Sequence, residues 1–215
     1  MIRAFFFFVL FTVCTPVAFA QETEQTSEIL EGLRLTEFAV NLTSGTQILE
    51  RLEADTALVA PDGISLLLTN VRMTVTDEER VVRIDSPLAR YYFGGRAVDE
   101  PREIALPPTR AMRRDFEGMI IPGSGNFPML TSPRRGDLLL VDPDNARPVR
   151  IDVEGQGNME AENLVWREAY QRFISVGDVR QIEREHGIDA TTQLFIVDRA
   201  FEFPFWTSSN VNLTQ

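Results

Sequence analysis

The sequence predicts an all-β fold, a folded-over antiparallel β-jellyroll built from repeated hairpins. Three observations predict it. Apolar residues recur at every second position through much of the chain after Leu33, which is the period of a strand with one buried face. Turn signals separate those stretches, such as Asp62-Gly63 between Val59 and Ile64. A pattern also occurs twice: Glu53-Ala54-Asp55 leads into Leu58-Val59 and ends at Asn70-Val71-Arg72, and Glu160-Ala161-Glu162 leads into Leu164-Val165 and ends at Asp178-Val179-Arg180. The copies differ in length by one residue, as expected of one supersecondary unit used twice with a bulge or turn change. A looser third copy runs from Ile84-Asp85-Ser86 through Ala89-Arg90-Tyr91.

Residues 1–20 read as a secretory signal peptide. Arg3 supplies a positive start, Ala4 to Val13 is an almost unbroken apolar run, and Ala18-Phe19-Ala20 is a small-residue cleavage site. The alternative is an uncleaved N-terminal membrane anchor, since the apolar stretch approaches the roughly 17–25 residues that span a bilayer. Residues 21–32 are polar and acidic, a flexible lead-in or one short helix. From Leu33 to Phe93 the alternation predicts an antiparallel meander: Leu33 and Leu35, then Ile64, Leu66 and Leu68, then Val71, Met73 and Val75, then Val82 and Ile84. Asp77 to Arg80 is a charged turn within it.

Residues near 94–136 are rich in Gly, Pro and charge and read as a long connection, with a strand or short helix over Met112 to Ile121. Strands resume at Asp137 to Val141 and at Val149, Ile151 and Val153. Residues 159–173 are ambiguous. Ala161, Val165, Ala169 and Phe173 are spaced by four, which suits a helix, but Tyr170, Phe173, Ile174 and Val176 and the match to the first copy favour strands. Leu194 to Val197 continues the sheet, and Phe201, Phe203 and Phe205 alternate, with Pro204 marking an edge strand. Residues 33–215 thus form a single elongated domain.

Composition narrows the function. Cys14 is the only cysteine and lies in the leader, so the remaining chain has no disulfide, thiolate nucleophile or cysteine metal site. The net charge of −11 argues against nucleic acid as a partner. His186 is the only histidine, and Gly123-Ser124-Gly125 lacks the spacing of a nucleophile elbow. Pairs among Asp55, Asp85, Glu160 and Glu162 suit either glycoside chemistry or a solvated strand face. No catalytic residue, metal site or cofactor is expected.

Two sets of residues are binding candidates. Arg110, Arg113 and Arg114, with Arg134-Arg135 further on, concentrate positive charge in an acidic chain, as either an anion site or solvated loops. Leu66, Leu68, Val71, Met73, Val75, Val82, Ile84, Val149, Ile151, Val153 and Trp166 form apolar strand faces. In a closed sandwich they are core; in an open one they line a greasy groove.

The repeated unit, Glu-Ala-Asp to Asn-Val-Arg at 53–72 and Glu-Ala-Glu to Gly-Asp-Val-Arg at 160–180, resembles the periplasmic lipopolysaccharide-transport proteins of the OstA/LptA/LptC type. The second copy departs from the pattern in placing Asp178 between Gly177 and Val179. The resemblance implies two facing antiparallel sheets whose apolar interior holds acyl chains of lipopolysaccharide or a related lipid. On that footing the eleven apolar residues bind lipid, and the protein has no cofactor and catalyses nothing. Its expected partners are other jellyroll transport proteins, met through sheet edges, and an inner-membrane transporter complex. Its expected location is the periplasm, soluble or anchored to the inner membrane. A secreted structural or protein-interaction sandwich with a dry core is the alternative.

Overall fold

The structure, a computed structural model, describes residues 33–213 apart from 45–46, 78–79, 124–126, 143–146, 156, 184–187 and 203. The leader, the lead-in and His186 lie outside the described residues. Eleven strands form one sheet in which every pairing is antiparallel. The first four are β1 (Arg34–Ser44), β2 (Gln47–Val59), β3 (Ser65–Asp77) and β4 (Arg80–Tyr92). A connection follows that carries α1 (Arg110–Glu117), β5 (Ile120–Ile121) and β6 (Met129–Leu130). The sheet then resumes with β7 (Leu138–Val141), β8 (Val149–Val153), β9 (Gly157–Ala161), β10 (Asn163–Arg167), β11 (Arg172–Glu183), β12 (Ile188–Val197) and β13 (Phe205–Leu213).

β7 and β8 pair with successive stretches of β4, and β9 and β10 with successive stretches of β11. Each couple therefore acts as one ribbon interrupted midway, and the sheet is a meander of nine ribbons in chain order. Residues 159–173 are strand, turn and strand rather than helix. The β2–β3 hairpin turns at Asp62-Gly63: Gly63 takes a φ of +65°, and Asp62 Oδ1 accepts from the backbone nitrogens of Ile64 and Ser65 at 3.0 Å each.

A crease crosses the ribbons where the repeat sits. Ala54 opposes Val71 in the first copy, and Ala161 opposes Val179 in the second, so the two motifs occupy equivalent places. The extra residue of the second copy lies at Gly177-Asp178, inside the register shift between Val176 and Val179. At the crease the in–out alternation skips a residue: Ala54 and Ala57 both face the interior, as do Leu68 and Val71, and Ala161 and Leu164. Left-handed backbone marks the same line, at Glu37 (φ 55°), Asn70 (φ 49°) and Gly177 (φ 127°). Such bulges bend a strand while keeping one face inward on both sides of the bend.

The sheet folds over as a result. In a flat sheet β2 and β12 would lie roughly 30 Å apart, six strand spacings. Here Glu50 on β2 forms an ion pair with Arg199, just beyond β12. The enclosed faces make one core that runs from Leu52 on β2 to Val197 on β12. Outside, on the half that holds β8 and β9, a row of cross-strand neighbours alternates in charge: Glu53, Arg72, Asp85, Arg150, Glu160 and Arg180. Each opposite-charge neighbour adds about 0.2–1 kcal/mol and resists register slippage.

The described residues of 94–136 form a third layer rather than a loose connection. Phe116, Met119 and Leu130 bury against Leu139, Val141, Val165, Ile174 and Ile196 on the back of the other half-sheet. Tyr92 Oη, reaching through from β4, accepts the backbone N–H of Leu130 at 2.9 Å. Two sequence expectations change. Leu33 and Leu35, expected on a half-buried strand face, are 46% and 41% exposed, because β1 is the outermost described strand and only β2 flanks it. Phe201 belongs to the turn before β13, with a φ of 58°, and buries on Phe173 and Phe195 instead of continuing a strand.

Candidate functional site

All eleven apolar residues singled out in the sequence, Leu66 to Trp166, lie in the one enclosed core, and none is more than 8% exposed. The fold brings these inward-facing residues together from both sides of the crease. Burial of each large side chain contributes about 1.5–3 kcal/mol, so this face is the main source of stability as well as the candidate site.

The core opens at two cavities. One, about 170 Å³, is lined by Leu52, Met73, Tyr91, Leu138 and Trp166, with Glu50, Glu168 and Arg199 at its polar margin. The other, about 250 Å³, lies among Met159, Phe195, Phe201 and Trp206. Both are smaller than the roughly 300–1,000 Å³ of ordinary small-molecule sites, so a chain entering the interior must part the two halves. Trp166 controls the first opening. Its Nε1 donates to Glu168 Oε2 at 2.9 Å, its ring packs on Phe173 with centroids 4.9 Å apart, and the Arg199 guanidinium lies 4.8 Å from its ring centroid. Burial pushes the Glu50 carboxyl above its ordinary range; Arg199 offsets part of this and Glu168 adds to it.

The three arginines expected to form an anion site do not share one hollow. They sit on α1, capped by Thr109, whose Oγ1 accepts the Met112 N–H at 3.2 Å. Met112 and Phe116 pack on the sheet, and consecutive residues on a helix point about 100° apart. Arg113 therefore faces a hollow with Glu117, Glu162 and Asp178, and Arg114 faces another on the opposite side. Arg110 lines neither.

The hollow that holds Arg114, about 590 Å³, lies between the third layer and the β10–β11 turn. Arg96, Arg102, Arg134 and Arg167 line it too. The sequence reading grouped only Arg114 and Arg134 with the cationic set. Arg96, Arg102 and Arg167 were missed because they are scattered over three segments that only the fold brings together. Arg167 is anchored to Asp137 at 3.3 Å, and Asp137 also accepts the N–H groups of Arg134 and Glu168 at 2.8 Å each. Asp137 is fully buried, and desolvation raises its pKa although Arg167 and the two backbone donors pull the other way.

No family model matches this chain, and no curated protein matches it significantly.

Of the carboxylates considered for glycoside chemistry, Asp85 and Glu160 belong to the outer charge row. Asp55 accepts from Asn70 at 2.9 Å and lies 3.6 Å from Arg72. Glu162 lines the hollow beside Arg113. Among the described residues no group of three or more His, Cys, Asp or Glu side chains is placed to hold a metal ion. Among the described residues, the outer strands β1 and β13 each pair on one side only. Val40 on β1 is 37% exposed, close to Leu33 and Leu35, and Trp206 on β13 is also 37% exposed.

Proposed function

We propose that this protein binds the acyl part of a lipid, lipopolysaccharide or a related envelope lipid, between the two halves of its folded sheet. It would do so in the periplasm and without catalysis, passing the lipid toward the outer membrane. The observation that carries this proposal is the single apolar interior, drawn from both sides of the crease and reaching the exterior at Trp166, Met73 and Leu52. Each methylene transferred from water into such an interior gains about 0.8 kcal/mol, a gain that grows with chain length and works against the cost of parting the halves. The unpaired edges with exposed Leu33, Leu35 and Val40 support a second element, docking to a similar sheet by strand addition.

Native mass spectrometry of the protein purified from membranes of its own source tests the proposal. Lipid adducts on the intact chain are expected, and preparations that are repeatedly lipid-free would overturn it in favour of an interaction module built on the edge strands. Met73→Asp separates the cases further. Met73 is 6% exposed and lines the interior opening. In a permanently dry core the carboxylate unfolds the protein; beside an interior that opens for lipid the variant stays folded and loses its adducts.

A further inference from the structure

The cleft between the third layer and the β10–β11 turn has no role in holding acyl chains, yet it gathers five arginines: Arg96, Arg102, Arg114, Arg134 and Arg167. Among the described residues, only Arg167 of these five has a carboxylate within ion-pairing distance, the buried Asp137. Asp99, Glu100 and Asp115 also line the cleft, but none forms an ion pair with the other four guanidinium groups. The four guanidinium groups outnumber those three carboxylates, so the cleft keeps an excess of positive charge that a seated counter-charge offsets.

The frame that carries them is tied down. Arg102 N donates to Ala169 O at 2.6 Å, Arg135 N to Arg96 O at 3.2 Å, and Thr131 N to Met119 O at 2.7 Å. Arg102 is thus tied to the β10–β11 turn and Arg96 to its own layer before any ligand arrives, which lowers the entropy lost on binding. The Nε of Arg167 is buried with no hydrogen-bond partner, so this guanidinium is incompletely satisfied by the protein itself.

We propose that this cleft is a binding site for a phosphate-bearing ligand. Guanidinium forks match the geometry of phosphate oxygens and hold them bidentately. The volume, about 590 Å³, exceeds what a bare phosphate needs. Phe116, Met119 and Tyr170 supply apolar wall for the group the phosphate is attached to. The β10–β11 turn separates this cleft from the interior opening: Arg167, Ala169 and Tyr170 face the cleft, and Trp166, Glu168 and Gln171 face the opening. One amphiphile can therefore place its phosphate in the cleft and its chain toward the opening. The site does not depend on the interior holding lipid, since a free phosphate compound satisfies the same arginines.

Calorimetric titration of the full chain with pyrophosphate and, separately, with monomeric dodecyl phosphate tests this. Arg102→Gln/Arg114→Gln is expected to weaken binding at least tenfold while leaving the unliganded melting temperature unchanged or raised, because repulsion is relieved. Arg110→Gln/Arg113→Gln, outside the cleft, should bind as the native chain does. Binding of both compounds, or of pyrophosphate alone, supports a phosphate site as such. Binding of dodecyl phosphate alone, lost in the cleft variant, supports a headgroup site. Absence of binding by both, or binding that the cleft variant retains in full, overturns the proposal. Neither result bears on lipid adducts in the interior, which the Met73→Asp comparison reads separately.

Discussion

Removing the carboxylate of Asp137 should be among the most damaging single changes in this protein. Its side chain is fully buried, accepts two backbone N–H groups at 2.8 Å and lies 3.3 Å from the guanidinium of Arg167, which is itself only 10% exposed. Asp137→Ala takes the acceptor from two buried backbone N–H groups and from that cation at once, which protonating the carboxyl in place does not, and the expected loss is about 3–5 kcal/mol. For a domain of this size each kcal/mol corresponds to roughly 2–4 °C, so the expected fall in Tm is about 6–20 °C. Urea denaturation followed by tryptophan fluorescence reads the change as a shift in midpoint at constant slope. Asp137→Asn/Arg167→Met removes both charges and should recover much of the loss, because an apolar replacement for a buried pair is often neutral. A single-variant loss under about 1 kcal/mol, or a double variant no more stable than the single, would refute the claim that this pair anchors β7 to the β10–β11 turn.

Stability should also respond to pH and to the crease. Burial raises the folded-state pKa of both Asp137 and Glu50 above their ordinary values of 3.8 and 4.5. The native state then holds these protons longer than the unfolded chain, so stability rises as pH falls from neutrality through the raised values, and the gain is complete below the ordinary ones. Thermal melts taken stepwise from neutrality down to the ordinary carboxyl values should show a contribution to Tm that rises as pH falls and that Glu50→Gln/Asp137→Asn removes; native and variant profiles that run parallel contradict the assignment. At the crease, Gly177→Ala puts a Cβ 2.6 Å from Glu162 Oε2 in a backbone with φ 127°. The expected cost is about 1–3 kcal/mol by chemical denaturation, and a neutral result would mean that the bend does not depend on this residue.

The interior was legible because it obeys a period of two and because the repeated Ala-to-Val pairs mark the same bend twice. The third layer was not, since its Gly, Pro and charge content is that of a surface loop and Phe116, Met119 and Leu130 follow no single period. A signal was nevertheless present on the opposite side of the interface. Leu138–Val141 and Asn163–Arg167 are buried at every position. Their continuous Leu-Leu-Leu-Val and Leu-Val-Trp runs are the pattern of strands covered on both faces. Two-sided burial there requires a covering layer, and the residues between β4 and β7 form it. The arginine cleft could not be read from spacing because its members come from the third layer and from β10.

Net charge misleads in this chain because its arginines do two separate jobs. Arg72, Arg150 and Arg180 sit between carboxylates on neighbouring strands, where their charge is compensated locally and serves register. Arg96, Arg102, Arg114 and Arg134 converge on a cavity and form no ion pair among the described residues. A net charge of −11 is therefore compatible with a locally cationic cleft, in which these arginines outnumber Asp99, Glu100 and Asp115, since acidic surface farther away is screened beyond about 8–10 Å. The same screening sets the two groups apart in solution. Salt should weaken pyrophosphate binding at the cleft steeply, while the exposed charge row, in which each pair contributes little, should change overall stability only slightly.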